Sequence, residues 1–408
     1  MNNWQTKKLG EICDFFTDGN WIESKDQSSN GMRLIQTGNI GQGFFKDRGE
    51  KARYISEKTF KRLKCTEIFK GDILISRLPD PVGRACILPE TGEKMITAVD
   101  CSILRLNKKI SPNFLNYYTQ SNAYLSEVEQ KTTGTTRKRI SRKNLGLVKI
   151  PLPPLSEQQR LVKMLDEVFE KIAKAKENTE KNLQNAKELF ESYLQSVFAN
   201  PGEDWEKTTI GKICNLMTGG TPSRTKKEYF KDGEINWLVS GDINKKEIKD
   251  CDGRITELGL KNSNAKYLPI NSVMIALNGQ GKTRGTVAML RIKATCNQSL
   301  VSIYPKDDFK LLPELIYANL EGRYNELRKL TGDTGNDRRG LNMSIIRNTK
   351  FSFPKSVTEQ KSIVLKLDAL STETKKLEAI YKQKLADLEE LKKSVLKKVF
   401  NGDLQQSV

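Results

Sequence analysis

The sequence predicts an α+β fold used twice. Two similar α+β domains are each followed by a long helix, and the two helices pair as an antiparallel coiled coil with pseudo-two-fold symmetry. Three observations predict it. The whole chain of 408 residues repeats itself at an offset of about 200. Each repeat opens with about 150 residues rich in glycine and short β-like runs, and each closes with a heptad-patterned run.

The duplication is read element by element. "WQTKKLGEIC" (4–13) answers "WEKTTIGKIC" (205–214), and "MRLIQTGNI" (32–40) answers "INWLVSGDI" (235–243). "SPNFL" (111–115) answers "LPELI" (312–316), and "ELFESYLQSVF" (188–198) answers "ELKKSVLKKVF" (390–400). A constant offset over the full length identifies a duplicated module, not a short-period solenoid. The domains expected are therefore 1–150 and 201–355, with helical segments at 151–200 and 356–408.

Within the domains, β-branched and apolar runs predict strands at 73–76, 85–88, 102–106, 273–277, 287–290 and 300–303. Helical patterns over 112–128 and 313–329 lie between or after them. The two long runs show a heptad seam. In the first it is formed by Leu161, Leu165, Val168, Ile172, Phe190 and Val197, with Ala175, Thr179, Leu183, Ala186 and Tyr193 between. In the second it is formed by Ile363, Leu367, Leu370, Leu377, Leu388 and Val399, with Thr374, Tyr381, Leu385, Lys392 and Val395 between. Both copies carry a stutter, at Thr179 and Tyr381, and only Lys392 interrupts the second seam. A helix over 156–199 would span roughly 66 Å. The intervening domain would be only roughly 40 Å across. It joins the end of one helix to the start of the next most simply when those ends are neighbours, which predicts an antiparallel pair with one domain at each end.

Each helix has a stiff entrance, "PLPPLSEQQR" (151–160) and "SFPKSVTEQK" (352–361). Ser156 is placed to cap the first helix, with Gln159 completing a capping box; Thr358 is placed to cap the second, where Lys361 cannot reciprocate.

Composition narrows the function. Histidine is absent, which removes the commonest general base near neutral pH and the commonest metal ligand. Seven scattered cysteines never form CxxC, a pattern that fits reduced thiols in a cytoplasmic protein. No stretch reaches the apolar length needed to cross a bilayer, and the first residues lack the apolar core of a secretion signal. The net charge of +19 is unevenly spread. Residues 1–155 hold 26 basic and 16 acidic side chains (net +10), and residues 201–355 hold 26 and 18 (net +8). Residues 156–200 are at −1 and 356–408 at +2. A cationic excess confined to the two domains points to a polyanion partner, most simply double-stranded DNA.

The candidate contacts lie on loops. "NGQGKT" (278–283) superficially ends like a phosphate-binding loop, but Ala276 stands where the pattern needs glycine, and a strand follows where it needs a helix. It reads better as a basic loop between strands, with Gln280, Lys282, Thr283 and Arg284, matching Arg77 and Arg84 of "RLPDPVGR" (77–84). A second pair precedes the helix entrances: Thr135, Thr136, Arg137, Lys138 and Arg139 in the first module, Arg338 and Arg339 in the second. The turns "TGN" and "SGD" add Thr37, Asn39, Ser240 and Asp242, which either meet base edges or cap their own turns. No methyltransferase or nuclease motif is present, so no catalytic or metal-ligating residue is assigned.

The combination of "IPLPPLSEQQR" with its echo "FPKSVTEQK", the "LGEIC"/"IGKIC" starts, the "QTGNI"/"VSGDI" turns and the two long helices resembles the specificity subunit of type I restriction-modification enzymes over essentially the full length. The resemblance implies that each α+β block is a target-recognition domain reading one half of a bipartite DNA sequence. It implies that the helices set the spacer between halves and bind two modification (methyltransferase) subunits. It also implies that S-adenosylmethionine sits on those subunits, that ATP and magnesium sit on the restriction subunits, and that this chain has no active site or cofactor of its own. Three alternatives stay open: the specificity subunit of a type IIB-like restriction system, a coiled-coil adaptor that binds DNA without sequence preference, and an enzyme using carboxylates.

Overall fold

In the computed structural model, residues 4–279, 281–331 and 340–401 are described. Two compact units divide the chain, Met1–Glu180 with Gln383–Val408, and Lys181–Lys382. Each long helix therefore contributes one half to each unit.

The first unit is built on an antiparallel four-stranded sheet in the order Cys13–Asp18, Cys101–Leu106, Ile73–Ser76, Ala85–Ile87. The predicted strands at 73–76, 85–88 and 102–106 are all present, within one residue at each end. A second sheet of five short strands centres on Met32–Ile35, parallel to Met95–Thr97. Ile35, Leu74, Cys86, Met95 and Ile103 are buried together in the core between them. The strand Gln5–Lys8 pairs with Lys149–Leu152, so the start of the module is tied to its exit immediately before the helix entrance.

The second unit repeats this plan. Its main sheet runs Cys214–Thr218, Leu300–Pro305, Val273–Ala276, Val287–Leu290, with Glu247–Ile248 added in parallel at the edge. Trp205–Thr209 pairs with Lys350–Pro354, as the equivalent strands do in the first unit. The helical stretch expected over 112–128 is two helices, Pro112–Tyr118 and Asn122–Gln130, and 313–329 likewise divides into Pro313–Gly322 and Tyr324–Lys329. In the first module Ser121 breaks the run by capping the second helix through the Tyr124 N–H, a signal that apolar periodicity does not register. The seven cysteines are free, and burial pushes the thiols of Cys86, Cys101, Cys214 and Cys296 up to about 12, which disfavours the thiolate at these four.

The long helices are Leu155–Ala199 and Val357–Asn401, 45 residues each. In the first unit Leu161 and Leu165, near the start of one helix, share a core with Leu396, Val399 and Phe400, near the end of the other. In the second unit Leu194 and Phe198 share a core with Leu367. Start meets end in both units, so the helices are antiparallel. Val168, Ile172, Phe190, Val197, Ile363, Leu370 and Leu388 are partly buried, as expected of a seam. Leu377 and Tyr193 are the exceptions among the named seam residues, at 39% and 37% exposed. A strict heptad drifts about 20° per repeat around a straight helix, and Leu377 comes at the end of the run that precedes the stutter at Tyr381, where that drift has accumulated. Tyr193 is also displaced, and Leu194 is buried in its place. Lys392 stays on the seam, with Nζ 5.2 Å from the centre of the Phe169 ring, while Leu391 beside it is exposed.

The helix entrances differ from the capping expected. The first helix begins at Leu155, so Ser156 lies inside its first turn and Pro154 O accepts the N–H groups of Glu157 and Gln158. In the second, Ser356 and not Thr358 accepts the Glu359 N–H. The residue that holds each entrance is instead a buried glutamine. Gln158 Nε2 donates to Pro153 O (2.9 Å) and Lys109 O (3.2 Å), and its Oε1 accepts the Ser111 N–H (2.8 Å). Gln360 repeats all three bonds, to Pro354 O, to Lys310 O and from the Leu312 N–H, each at 2.9 Å.

Candidate nucleic-acid interface

In the first unit the loops singled out by charge form one continuous edge. The turn Thr37–Asn39 follows the strand Met32–Ile35 and is closed by its own side chain. Asn39 Oδ1 accepts the Gln36 N–H at 3.0 Å and Nδ2 donates to Lys46 O at 3.0 Å. Asp242 does the same in the second unit, accepting the Val239 N–H at 2.8 Å. Both side chains are buried, so Asn39 and Asp242 are revised from base-reading candidates to turn caps: their acceptors are already satisfied by backbone. Thr37 and Ser240 remain half-exposed on those turns.

Arg77 and Arg84 are also revised. Arg84 is buried and donates from Nε to Ile40 O, from Nη1 to Leu78 O and Pro81 O, and from Nη2 to Thr37 O, all within 3.0 Å. It clamps the Thr37 turn to the 78–81 loop. Arg77 is buried, donates to Val99 O at 2.6 Å and lies 3.4 Å from Asp18 Oδ1. Burial draws both guanidinium groups below the ordinary arginine value, and Asp18 opposes this at Arg77. Donors committed to carbonyls inside the domain are not presented to phosphate. In the second unit Arg284 is likewise buried.

The exposed cations lie on the flanks of these clamps. Thr133 and Arg139 exchange backbone hydrogen bonds (2.9 and 2.8 Å), closing a loop in which Thr135, Thr136, Arg137, Lys138 and Arg139 all face solvent. Gly134 enters this loop at φ +95°, where a side chain would be strained. Lys138 pairs with Glu129 at 2.7 Å and Arg139 with Asp100 at 3.1 Å, whereas Arg137 has no ion-pair partner among the described residues. Lys138 also adjoins Pro79–Val82, the loop that Arg84 fastens to the Thr37 turn. In the second unit Lys282 is exposed and Thr283 half-exposed, on a loop held by Tyr324 Oη to Lys282 O (2.8 Å) and Arg328 Nη1 to Gly281 O (2.9 Å). Gln280, Arg338 and Arg339 lie outside the described residues.

Sequence reading missed a second cationic loop in the first unit. Lys46, Arg48, Lys51 and Arg53 are all exposed in "FFKDRGEKAR" (44–53). The Arg48 guanidinium lies over Gly38 of the turn, so close that a Cβ there would collide with it. Phe44 is exposed with Lys46 Nζ 5.5 Å from its ring centre, and Asp47 is withdrawn from the surface balance by pairing with the buried Arg33. The signal was present as four cations in eight residues, masked by interleaved acids. Arg142, donating to Thr17 Oγ1 at 3.1 Å, extends the 135–139 patch. An exposed aromatic ring among fixed cations on one edge suits a nucleic-acid backbone with bases beside it.

Comparison with known proteins identifies the family. The family model described as "Type I restriction modification DNA specificity domain" matches twice, over residues 1–184 and 202–389. The chain belongs to the type I restriction-modification specificity family. It is similar to the specificity subunit of the type I restriction enzyme EcoR124I/EcoR124II of Escherichia coli, with 26% identity over 239 residues, or 57% of each chain. That match thus spans little more than half the length of its relative. In fold it is similar to a chain from a structure of a type I restriction-modification system, with a TM-score of 0.78, 19% identity and 99% of both chains covered. It is also similar to the HsdS subunit from Thermoanaerobacter tengcongensis, with a TM-score of 0.63, 19% identity, and 99% and 98% coverage. Each specificity-domain match begins in one α+β domain and ends within a long helix, so domain and helix form the unit that repeats.

Proposed function

We propose that this chain is the DNA recognition subunit of a type I restriction-modification complex, acting in the cytoplasm. Each α+β domain reads one half of a bipartite site in double-stranded DNA. The helices set the spacer and carry two modification subunits, which hold S-adenosylmethionine and methylate adenine. Restriction subunits, with ATP and magnesium, complete the endonuclease. The chain supplies recognition and no catalytic group. The observation that supports this reading most directly is the double occurrence of the specificity domain, once in each half of the chain.

Contact with DNA is assigned to the exposed groups: Thr135, Thr136, Arg137, Lys138, Arg139, Arg48 and Arg142 in the first unit, Lys282 and Thr283 in the second. The buried arginines shape the loops that carry them. The deciding experiment is co-expression of the chain with a modification subunit in a methylation-free host, followed by genomic mapping of methyladenine. Methylation at a two-part motif with a fixed gap is expected. A continuous motif, or methylation unchanged when the chain is omitted, overturns the reading.

A further inference from the structure

The two units are not filled alike where the recognition domain meets the helices. Residues at equal distance from the anchoring glutamines and from the helix-starting prolines correspond. Asp166 and Phe169 of the first unit thereby match Asp368 and Ser371 of the second, and Tyr117 matches Ala318. In the first unit the Tyr117 ring meets Phe169 edge-on, with centroids 5.4 Å apart at 80°, and its hydroxyl donates to Asp166. In the second unit both rings are missing, and an open cavity of about 730 Å³ stands in their place.

The chemistry of that cavity is specific. Its apolar floor is Phe190, Leu194, Met289, Ala318, Val364 and Leu367. The charges on its rim are mostly paired: Arg291 with Glu247 (3.0 Å) and Glu314 (3.5 Å), Lys246 with Glu321 (2.9 Å), and Lys249 with Glu247 (2.7 Å). The Tyr317 hydroxyl at the rim is also taken, donating to Glu321 at 3.0 Å. Asp368 has neither a hydrogen bond from its side chain nor an ion pair among the described residues, although its counterpart Asp166 has the tyrosine hydroxyl. Asp368 stands at the exposed lip of the cavity, where partial desolvation, then the neighbouring Glu314, push its carboxyl up from its ordinary value, with Lys375 opposing. A hydrogen-bond donor brought to Asp368 relieves that cost.

We propose that the cavity is a receptor for one tyrosine side chain presented by a polypeptide partner, the hydroxyl donating to Asp368 and the ring lying on the apolar floor. The first unit shows the filled form of the same site with an internal tyrosine. Unanswered carboxylate and apolar floor together select an aromatic donor over a purely apolar ring or a bare cation. Resting on the reading above, the partner is a modification subunit, and the two joints then differ: one sealed by the chain itself, the other completed on assembly.

The test uses the full chain and N-acetyl-L-tyrosinamide as probe, with the phenylalanine and arginine analogues as controls. Saturable millimolar binding of the tyrosine probe is expected, at least about tenfold tighter than either control. Ala318→Tyr with Ser371→Phe rebuilds the pair of the first unit and is expected to abolish probe binding while melting no lower than wild type. Should that variant fail to fold, Asp368→Ala still decides, because it is expected to erase the tyrosine preference over phenylalanine. Equal binding of the three probes, or binding unaffected by either variant, overturns the proposal. In the complex, the double variant is expected to weaken association with the modification subunit at least about tenfold. Unchanged association overturns the proposal alone, whereas failure of the wild-type chain to assemble at all counts against the parent reading instead.

Discussion

Gln158 and Gln360 show how a single polar side chain can define a joint. Each is enclosed where a strand turns into a 45-residue helix, and each satisfies two carbonyls and one N–H from two different segments. Truncation leaves those backbone groups buried without partners, a loss on the order of 2–3 kcal/mol. Gln158→Ala and Gln360→Ala are each expected to lower stability by about that amount in urea unfolding, with the transition of the affected unit moving first. A contrast between two arginines tests the interface. Arg137→Ala removes an exposed, unpaired cation; it is expected to weaken DNA binding, lower the slope of log affinity against log salt by about 1, and leave the melting temperature unchanged. Arg84→Ala removes a buried clamp on four carbonyls and is expected to act mainly by destabilising the first unit, on the order of 2–3 kcal/mol, without that salt signature. If Arg84→Ala lowers the salt slope at full stability, the assignment of clamp and contact is reversed. Sequence could not separate these arginines, because both stand in polar loops and only the tertiary path of residues 36–41 and 78–81 decides which is enclosed.

At the scale of elements, much of the molecule was legible. The strand Val287–Leu290 lies where β-branched periodicity puts it, and Leu161, Leu165, Leu367 and Val399 are buried where the heptads place them. These signals are local, and burial of one face enforces them. Capping was misread because the prolines shift the first helical turn: with Pro154 O already accepting from Gln158, Ser156 has no terminus left to cap. Leu377 was misread because a strict heptad ignores the accumulated drift of a real helix. The antiparallel pairing itself leads to a prediction about spacing. Removing one matched heptad from each helix shortens the pair by about 10 Å. That is equivalent to about 3 base pairs of duplex at ~3.4 Å each. Methylation mapping is expected to return both half-sites unchanged with a gap shortened by about that number; an unaltered gap would mean that the helices do not measure the spacer.

At the scale of the whole chain, the duplication and the charge distribution carry the argument together. The excess of +10 over residues 1–155 and +8 over 201–355, against −1 and +2 in the helical stretches, gives each domain its own electrostatic means of holding DNA. Self-comparison revealed the duplication, but its most informative departure, Tyr117 answered by Ala318 and Phe169 by Ser371, had no meaning until the helices were placed against the domains. Independent cores support independent reading: the strands and turns carrying Thr37 and Arg137 belong to one compact unit, and those carrying Ser240 and Lys282 to the other. Exchange of residues 1–150 for the matching segment of a relative is therefore expected to change one half of the methylated motif and preserve the other half and the gap. The exchange leaves Gln158 in place, together with the helix residues that close the core of the first unit, so the incoming domain meets the same joint provided it supplies an N–H and a carbonyl where Ser111 and Lys109 offer theirs to Gln158. Alteration of both halves would show that the domains read DNA cooperatively, through coupling that two separate cores do not supply.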